Sequence, residues 1–251
     1  MRLVTISFNY PPRVKRPDYL HLLDVFEASV RHHMPSCEFR ALRIDPPDQR
    51  GVKKFAFLSN TYKLKFWAEQ MREARADGVN VALADCDMLC TGNVEPVYEK
   101  DFDVAYTVRN DGTNIPMNGG MVFAKPTDAA VAFFEAWAEA DARMYRDHIE
   151  NDGRQFHDKW RFKYKGMNQA SFGYLCETRE GIGGVHLLDL PTRIYNAVDK
   201  DWHRISSETV FLHIKSKLRK CVLNGELPFG TYRPAMLLWY EARARAGLVA
   251  K

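Results

Sequence analysis

Two aspartates, Asp85 and Asp87, stand one residue apart where an apolar run ends in VNVALADCDMLCTGN (79–93). Carboxylates that leave a buried segment together either face solvent at a strand end or meet something positive. Spaced i and i+2, they can converge on one divalent cation. Alternatively, one holds the cation while the other accepts a hydrogen bond from a ligand hydroxyl. Hard oxygen donors suit magnesium or manganese, with phosphate oxygens completing the shell. A lone D-x-D is also common as a solvated strand end, so its meaning rests on the elements that position it and on the motifs later in the chain.

Hydrophobic periodicity supplies the positioning elements. Strands are expected over 3–8, 38–44, 79–84, 102–107, 119–124, 185–190 and 208–213, and PPDQRG (46–51) reads as loop. A helix over 18–33 carries Leu20, Leu23, Phe26 and Val30 at helical spacing, and one over 61–77 carries Leu64, Trp67 and Met71, capped by Asn60 or Thr61. Thr127 is the expected cap of a long helix over 128–145. A C-terminal helix over 231–251 starts near Pro234, a residue suited to a first helical turn; Leu237, Leu238 and Tyr240 are its expected core contacts. Strands alternating with helices imply an α/β fold: one Rossmann-like domain over 1–251, with a mixed, mostly parallel central sheet flanked by helices. Such sheets bind ligands at the carboxyl ends of their strands, and Asp85 and Asp87 follow a strand in this way.

Composition narrows the class. The chain has 251 residues, 46% of them apolar and 27% charged, which suits a soluble globular protein with a real core. No apolar run reaches the ~20 residues needed to cross a bilayer. MRLVTISFNY reads as a first strand rather than a signal peptide, so a cytoplasmic protein is expected. Five cysteines with no C-x-x-C argue against a disulfide framework or a structural zinc site; Cys86 and Cys90 read as buried thiols. A net charge of +4 fits an anionic ligand without pointing to nucleic acid.

Three enzyme classes use such an acidic pair. Dehalogenase-type phosphatases place it after the first strand, in D-x-D-x-[TV]; here Leu89 fills the last slot. Nucleotidyltransferases carry an N-terminal glycine-rich phosphate loop, which SFNYPPRVKRP is not. Nucleotide-sugar glycosyltransferases use the pair to hold a metal bound to the donor diphosphate.

For the third class the chain carries an ordered series of motifs. TYKLKFW (61–67) precedes the acidic strand ALADCDM, and TGNVEPVYEKDFDVAYT comes after that strand. Then come MNGGMVFAKP (117–126), GMNQASFGYL (166–175), LPTRIYNAV (190–198) and FLHIKSKLRK (211–220). In this order the sequence resembles the glycogenin-like, retaining glycosyltransferases of the GT-A fold over roughly residues 1–220. Two positions depart from that family: Asn168 stands where an acidic residue precedes the glutamine, and no glycine follows His213.

The resemblance implies a donor nucleoside diphosphate sugar, a uridine one, and manganese or magnesium held by Asp85, Asp87 and His213. Asp85 would also reach the ribose. An imidazole beside two carboxylates favours manganese. Phe8, Asn9 and Tyr10 would meet the base, Lys63 the donor, and Asn118, Gly119 and Gly120 the sugar. Among Lys215, Lys217, Arg219 and Lys220, which stabilise the departing diphosphate, alternation along a continuing strand favours Lys215 and especially Lys217. Asn168 and Gln169 match the position nearest the reacting carbon. Glutamine is a poor nucleophile, which favours front-face transfer over a covalent intermediate. The acceptor is open: a glycan, a lipid-linked sugar, a protein or a nucleic acid. A phosphatase, a nucleotidyltransferase or a non-catalytic nucleotide-sugar-binding module remains the alternative.

Residues 145–165 stand apart, polar and then ending in WRFKYK. Read as a strand, they put Trp160, Phe162 and Tyr164 on one face of an edge hairpin and Arg161, Lys163 and Lys165 on the other. That edge hairpin with one buried aromatic face is the preferred reading; a lid or an acceptor platform is the alternative, because sugars and bases stack on aromatic rings and basic residues follow phosphates.

Overall fold

The computed structural model describes residues 1–8, 19–44, 55–109, 117–150 and 156–248. In chain order these form β1 (Arg2–Phe8), α1 (Tyr19–His33), β2 (Glu38–Ile44), α2 (Phe55–Asp77), β3 (Val81–Asp85), β4 (Met88–Cys90), β5 (Val104–Val108), β6 (Met117–Ala124) and α3 (Asp128–Glu150). Next are α4 (Phe156–Tyr164), α5 (Met167–Thr178), β7 (Leu187–Pro191), α6 (Thr192–Tyr195), β8 (Phe211–His213), α7 (Ser216–Leu223) and α8 (Arg233–Arg245). The expected α/β class holds: six strands form one mixed sheet in the order β2-β1-β3-β6-β5-β7, and β4 and β8 form a two-stranded ribbon. No described helix is long and apolar enough to cross a membrane. The expected loop at 46–51 lies outside the described residues.

Internal contacts divide the chain into two units that interleave in sequence. The first comprises Met1–Asp45, Ala84–Glu99 and Pro191–Lys251. Here β1 and β2 pair in parallel from Arg2 opposite Glu38 to Phe8 opposite Ile44. Residues 2–7 of β1 are buried without alternation, as a parallel strand covered on both faces requires. On α1, Leu23, Phe26 and Val30 are buried as expected, but Leu20 is 39% exposed, so the apolar stripe begins at Leu22. Ser29 ties α1 to β4: its hydroxyl donates to the Phe26 carbonyl and accepts the Cys90 N–H at 3.0 Å. On α8 the buried face is Ala235, Met236, Trp239 and Ala242, while Leu237 is 44% exposed. The expected core contact thus falls to its helical neighbours, with Leu238 and Tyr240 partly buried against them.

The second unit comprises Pro46–Leu83 and Lys100–Leu190. Its centre is aromatic, with Trp67 of α2, Phe133 and Trp137 of α3 and Phe172 of α5 in edge-on ring contacts. Leu64, Trp67 and Met71 are all buried, as their spacing predicts. The helix nevertheless starts at Phe55, so Asn60 and Thr61 lie inside it rather than capping it. Thr61 instead donates its hydroxyl to the Asp141 carboxylate of α3 at 2.7 Å. Thr127 does cap α3, its hydroxyl accepting the Ala130 N–H at 3.1 Å. The hairpin reading of 160–165 fails: WRFKY ends the helix α4, whose Trp160 and Tyr164 stack on the buried side one turn apart while Phe162 faces out, 81% exposed. Aromatics at i, i+2 and i+4 fit a strand period, but only the i, i+4 pair shares a helix face. Gly173 of α5 receives the Tyr164 ring; a Cβ there would overlap it.

Candidate active site

In the first unit the β4–β8 ribbon assembles the acidic pair with a histidine. Antiparallel register sets Met88 opposite His213, and the Asp87 carbonyl accepts the Ile214 N–H at 2.7 Å. His213 Nε2 thereby lies 3.2 Å from Asp87 Oδ1 and 3.8 Å from Asp85 Oδ2. On the ring's other side Asn196 Oδ1 lies 3.2 Å from Nδ1. Asn196 is placed because Ala197 bridges in parallel to Leu212 of β8. Its acceptor oxygen favours the proton on Nδ1, which leaves the Nε2 lone pair facing two carboxylates. One ligand atom from each of Asp85, Asp87 and His213 lies within 4.8 Å of the others. Three electron-rich donors this close repel one another unless a cation or proton sits among them, so the set fits a divalent metal.

The surroundings keep the pair ionised. Burial pushes the Asp87 carboxyl up, but the positive charge beside it, from the His213 ring when its Nε2 carries a proton in place of a metal and from the Arg219 guanidinium, outweighs burial and holds Asp87 below the usual carboxylate range. The intervening Cys86 behaves oppositely: burial, reinforced by the charges of Asp87 and Asp85, pushes its thiol far above the ordinary value. Cys86 is half-buried by exposure, and the converging donor set among the described residues comprises Asp85, Asp87 and His213 without its sulfur. Burial likewise pushes Cys90 up to about 12.

The basic stretch after His213 does not continue as a strand. β8 stops at His213 and α7 opens at Ser216, whose φ of 52° lies in the left-handed region that glycine enters without strain. Alternation therefore does not put Lys215 and Lys217 on the side of His213. Lys215 Nζ lies 3.8 Å from Asp199, and Lys217 Nζ sits over the Phe229 and Tyr232 rings at 5.6 and 5.5 Å. Arg219 reaches the acidic pair instead, donating to Asp87 Oδ2 and to the Tyr19 hydroxyl, each at 2.9 Å.

The remaining candidates cluster in the second unit. Lys63 is buried rather than snorkelling, with Nζ 3.4 Å from the Gly119 carbonyl and 4.5 Å from the Trp67 ring centre. Asn118, Gly119 and Gly120 lie within β6, all buried, not in a turn before it. A Cβ on Gly119 would come within 3.0 Å of Asn168 Nδ2, so the glycine makes room for the Asn168 amide. Gln169 donates to the Met117 carbonyl at 3.0 Å, and the Trp137 indole donates to the Asn168 carbonyl and the Ser171 hydroxyl at 3.1 and 3.0 Å. α3 and β6 thus fix the first turn of α5. Phe8 ends β1, half-buried; Asn9 and Tyr10 lie outside the described residues.

Sequence reasoning missed Asn196, Tyr19 and Asp141. The Y-N of LPTRIYNAV pointed to the first without giving it a role. Nothing local marks the other two, since Tyr19 meets Arg219 across 200 positions and Asp141 meets Thr61 across 80.

Solved structures share this fold. A galactosyltransferase, LgtC, crystallised with donor and acceptor sugar analogs, superposes with a TM-score of 0.58 at 13% identity, covering 100% of this chain and 97% of its own. GlyE of Streptococcus pneumoniae TIGR4, a glycosyltransferase, gives 0.57 at 11%, covering 98% of this chain and 62% of its own. A glycosyltransferase involved in glycosylation of the major capsid of PBCV-1 gives 0.53 at 11%, covering 87% and 96%. No curated protein matches the chain in sequence. The profile of the nucleotide-diphospho-sugar transferases does, over residues 27–218, a span that includes Asp85, Asp87 and His213. The chain belongs to the nucleotide-diphospho-sugar transferase family and is a glycosyltransferase.

Proposed function

We propose that the protein is a metal-dependent glycosyltransferase that moves a sugar from a uridine diphosphate sugar to an acceptor with retention of configuration. The observation that supports this reading is the convergence of Asp85, Asp87 and His213 in a chain of this family. Family membership also displaces the phosphatase, nucleotidyltransferase and binding-module alternatives. Asp85, Asp87 and His213 would hold the metal, and the imidazole favours manganese over magnesium. When bound, that metal supplies Lewis-acid stabilisation of the charge on the leaving diphosphate.

The chain's own residues do the rest in this reading. Arg219, the basic residue of this stretch that contacts Asp87, adds positive charge for the diphosphate, and Lys215 and Lys217 serve it only by turning away from Asp199 and from the Phe229 and Tyr232 rings. Asp85 accepts a hydrogen bond from the ribose, and Phe8, with Asn9 and Tyr10, meets the base. Lys63, Asn118, Gly119 and Gly120 serve the sugar. Asn168 and Gln169 orient the sugar at its reacting carbon. Neither amide is a good nucleophile, so the acceptor oxygen attacks from the face the diphosphate leaves, and its proton passes to that leaving group. We treat residues 1–251 as one catalytic domain and place it in the cytoplasm, where its free cysteines stay reduced.

The test is nucleoside diphosphate release from a panel of nucleotide sugars with manganese. The reading expects release from uridine donors and loss of at least ~100-fold in Asp87→Asn, the range for removing one strong electrostatic contribution to catalysis. Release that persists in Asp87→Asn, or no release from any donor, contradicts it.

A further inference from the structure

None of the residues assigned above to the donor lies on α4. Phe162 stands 81% exposed there while Trp160 and Tyr164, on either side in sequence, are buried. A single apolar ring in water needs no explanation. This one, however, lines a cavity of about 850 Å³ together with Asp158, Lys159, Arg161, Lys165 and Gly166. That volume lies within the range of small-molecule sites. Among the described residues of this lining, three are cations and one is a carboxylate. Lys165 Nζ lies 4.6 Å from the Phe162 ring centre, so charge and aromatic surface are side by side.

The corner that ends α4 links this cavity to Gln169. Lys165 takes a left-handed φ of 55°, held by its N–H to the Arg161 carbonyl at 2.8 Å, and Gly166 follows at φ 116°. A Cβ on Gly166 would lie 3.0 Å from Gln169 Oε1. The wall that Gly166 gives the cavity therefore backs onto the Gln169 amide. Non-glycine residues held in this region often mark a functional constraint.

We propose that the α4 face around Phe162 is the acceptor subsite, and that it selects a saccharide carrying an anionic group, phosphate or carboxylate. The proposal rests on the glycosyltransferase reading and on Gln169 lying at the reacting carbon. The sugar ring stacks on Phe162 while Arg161, Lys165 and Lys159 receive the anion.

The test is saturation-transfer NMR and titration of the full chain, without nucleotide or metal, using cellobiose, cellobiose 6-phosphate and cellobiouronic acid. The proposal expects the anionic disaccharides to bind at least tenfold tighter than cellobiose. Phe162→Ala, and separately the double variant Arg161→Gln/Lys165→Gln, should each weaken that binding at least tenfold. These side chains are exposed, so unchanged thermal midpoints would keep a binding loss from being an unfolding effect. The tighter of the two anionic probes identifies the anion. Equal affinity for neutral and anionic disaccharides overturns the proposal, as does binding unaffected by either variant. So does displacement by inorganic phosphate alone at equal concentration, or tighter binding of a single-stranded oligonucleotide that both variants abolish. Because no donor is present, this result stands apart from nucleotide release, which judges the donor reading separately.

Discussion

Asp87 accepts the Arg219 guanidinium on one oxygen and faces the His213 ring on the other. A carboxylate in that position is held ionised for work at neutral pH. His213 depends in turn on Asn196, its partner at Nδ1. Asn196→Ala should weaken manganese affinity about 10–100-fold, as losses behind a metal ligand do, with Asn196→Asp recovering part of it. Calorimetric titration of manganese would check this, and unchanged affinity would remove Asn196 from the account. Asp141 makes a different prediction. Burial pushes its carboxyl up to about 6, against hydrogen bonds from Thr61 and Ser171 and the charge of Lys63. The folded chain keeps a proton that the unfolded chain has released above about pH 4. Stability therefore falls as pH rises from about 4 through 6, then levels off. Asp141→Asn should gain on the wild type across that window, by on the order of 3 kcal/mol. Thermal unfolding at a series of pH values tests it, and a difference constant with pH would contradict it. At this scale the acidic pair was legible because two charges closed an apolar run. The preference for Lys217 over Arg219 does not match the contact made at Asp87, because the choice among four basic residues depends on a turn at Ser216 and a bond spanning 132 positions.

Elements were legible where periodicity had length. β1, α1 and β2 lie within a residue of their expected bounds, and the stripe on α2 is buried as expected. Three-residue β4 and β8 are too short for a period to show, yet their register brings Asp87 and His213 together. α4 misled because its aromatics alternate, and only the Gly173 groove that receives Tyr164 distinguishes a helix packed on α5 from an edge strand. Gly173→Ala should therefore cost about 1–3 kcal/mol through overpacking, read as a lower unfolding midpoint. A neutral result would mean that α4 does not dock as described. Ser216→Gly should be neutral or stabilising by up to about 1 kcal/mol, since relief of left-handed strain opposes the added freedom of the unfolded chain. A clear loss in denaturant titration would show that the Ser216 side chain contributes something its backbone does not.

For the whole molecule, the order of motifs carried more than any single one. Each was short, but their succession from 61–67 to 211–220 matched a family whose profile spans 27–218. A mildly basic chain, +4 overall, suits a doubly charged diphosphate donor without dictating the acceptor. The central claim is that manganese and a nucleoside diphosphate bind as one unit at Asp85, Asp87 and His213. Thermal unfolding with uridine, guanosine, adenosine and cytidine diphosphates, each with and without manganese, tests this most directly. A ligand at about 100 times its Kd adds about 2.7 kcal/mol to the native state, or roughly 5–10 °C for a chain of this size. A rise of that order is predicted for uridine diphosphate only with manganese, and none in Asp87→Ala. No shift with any pair, or the same shift in Asp87→Ala, would contradict the claim.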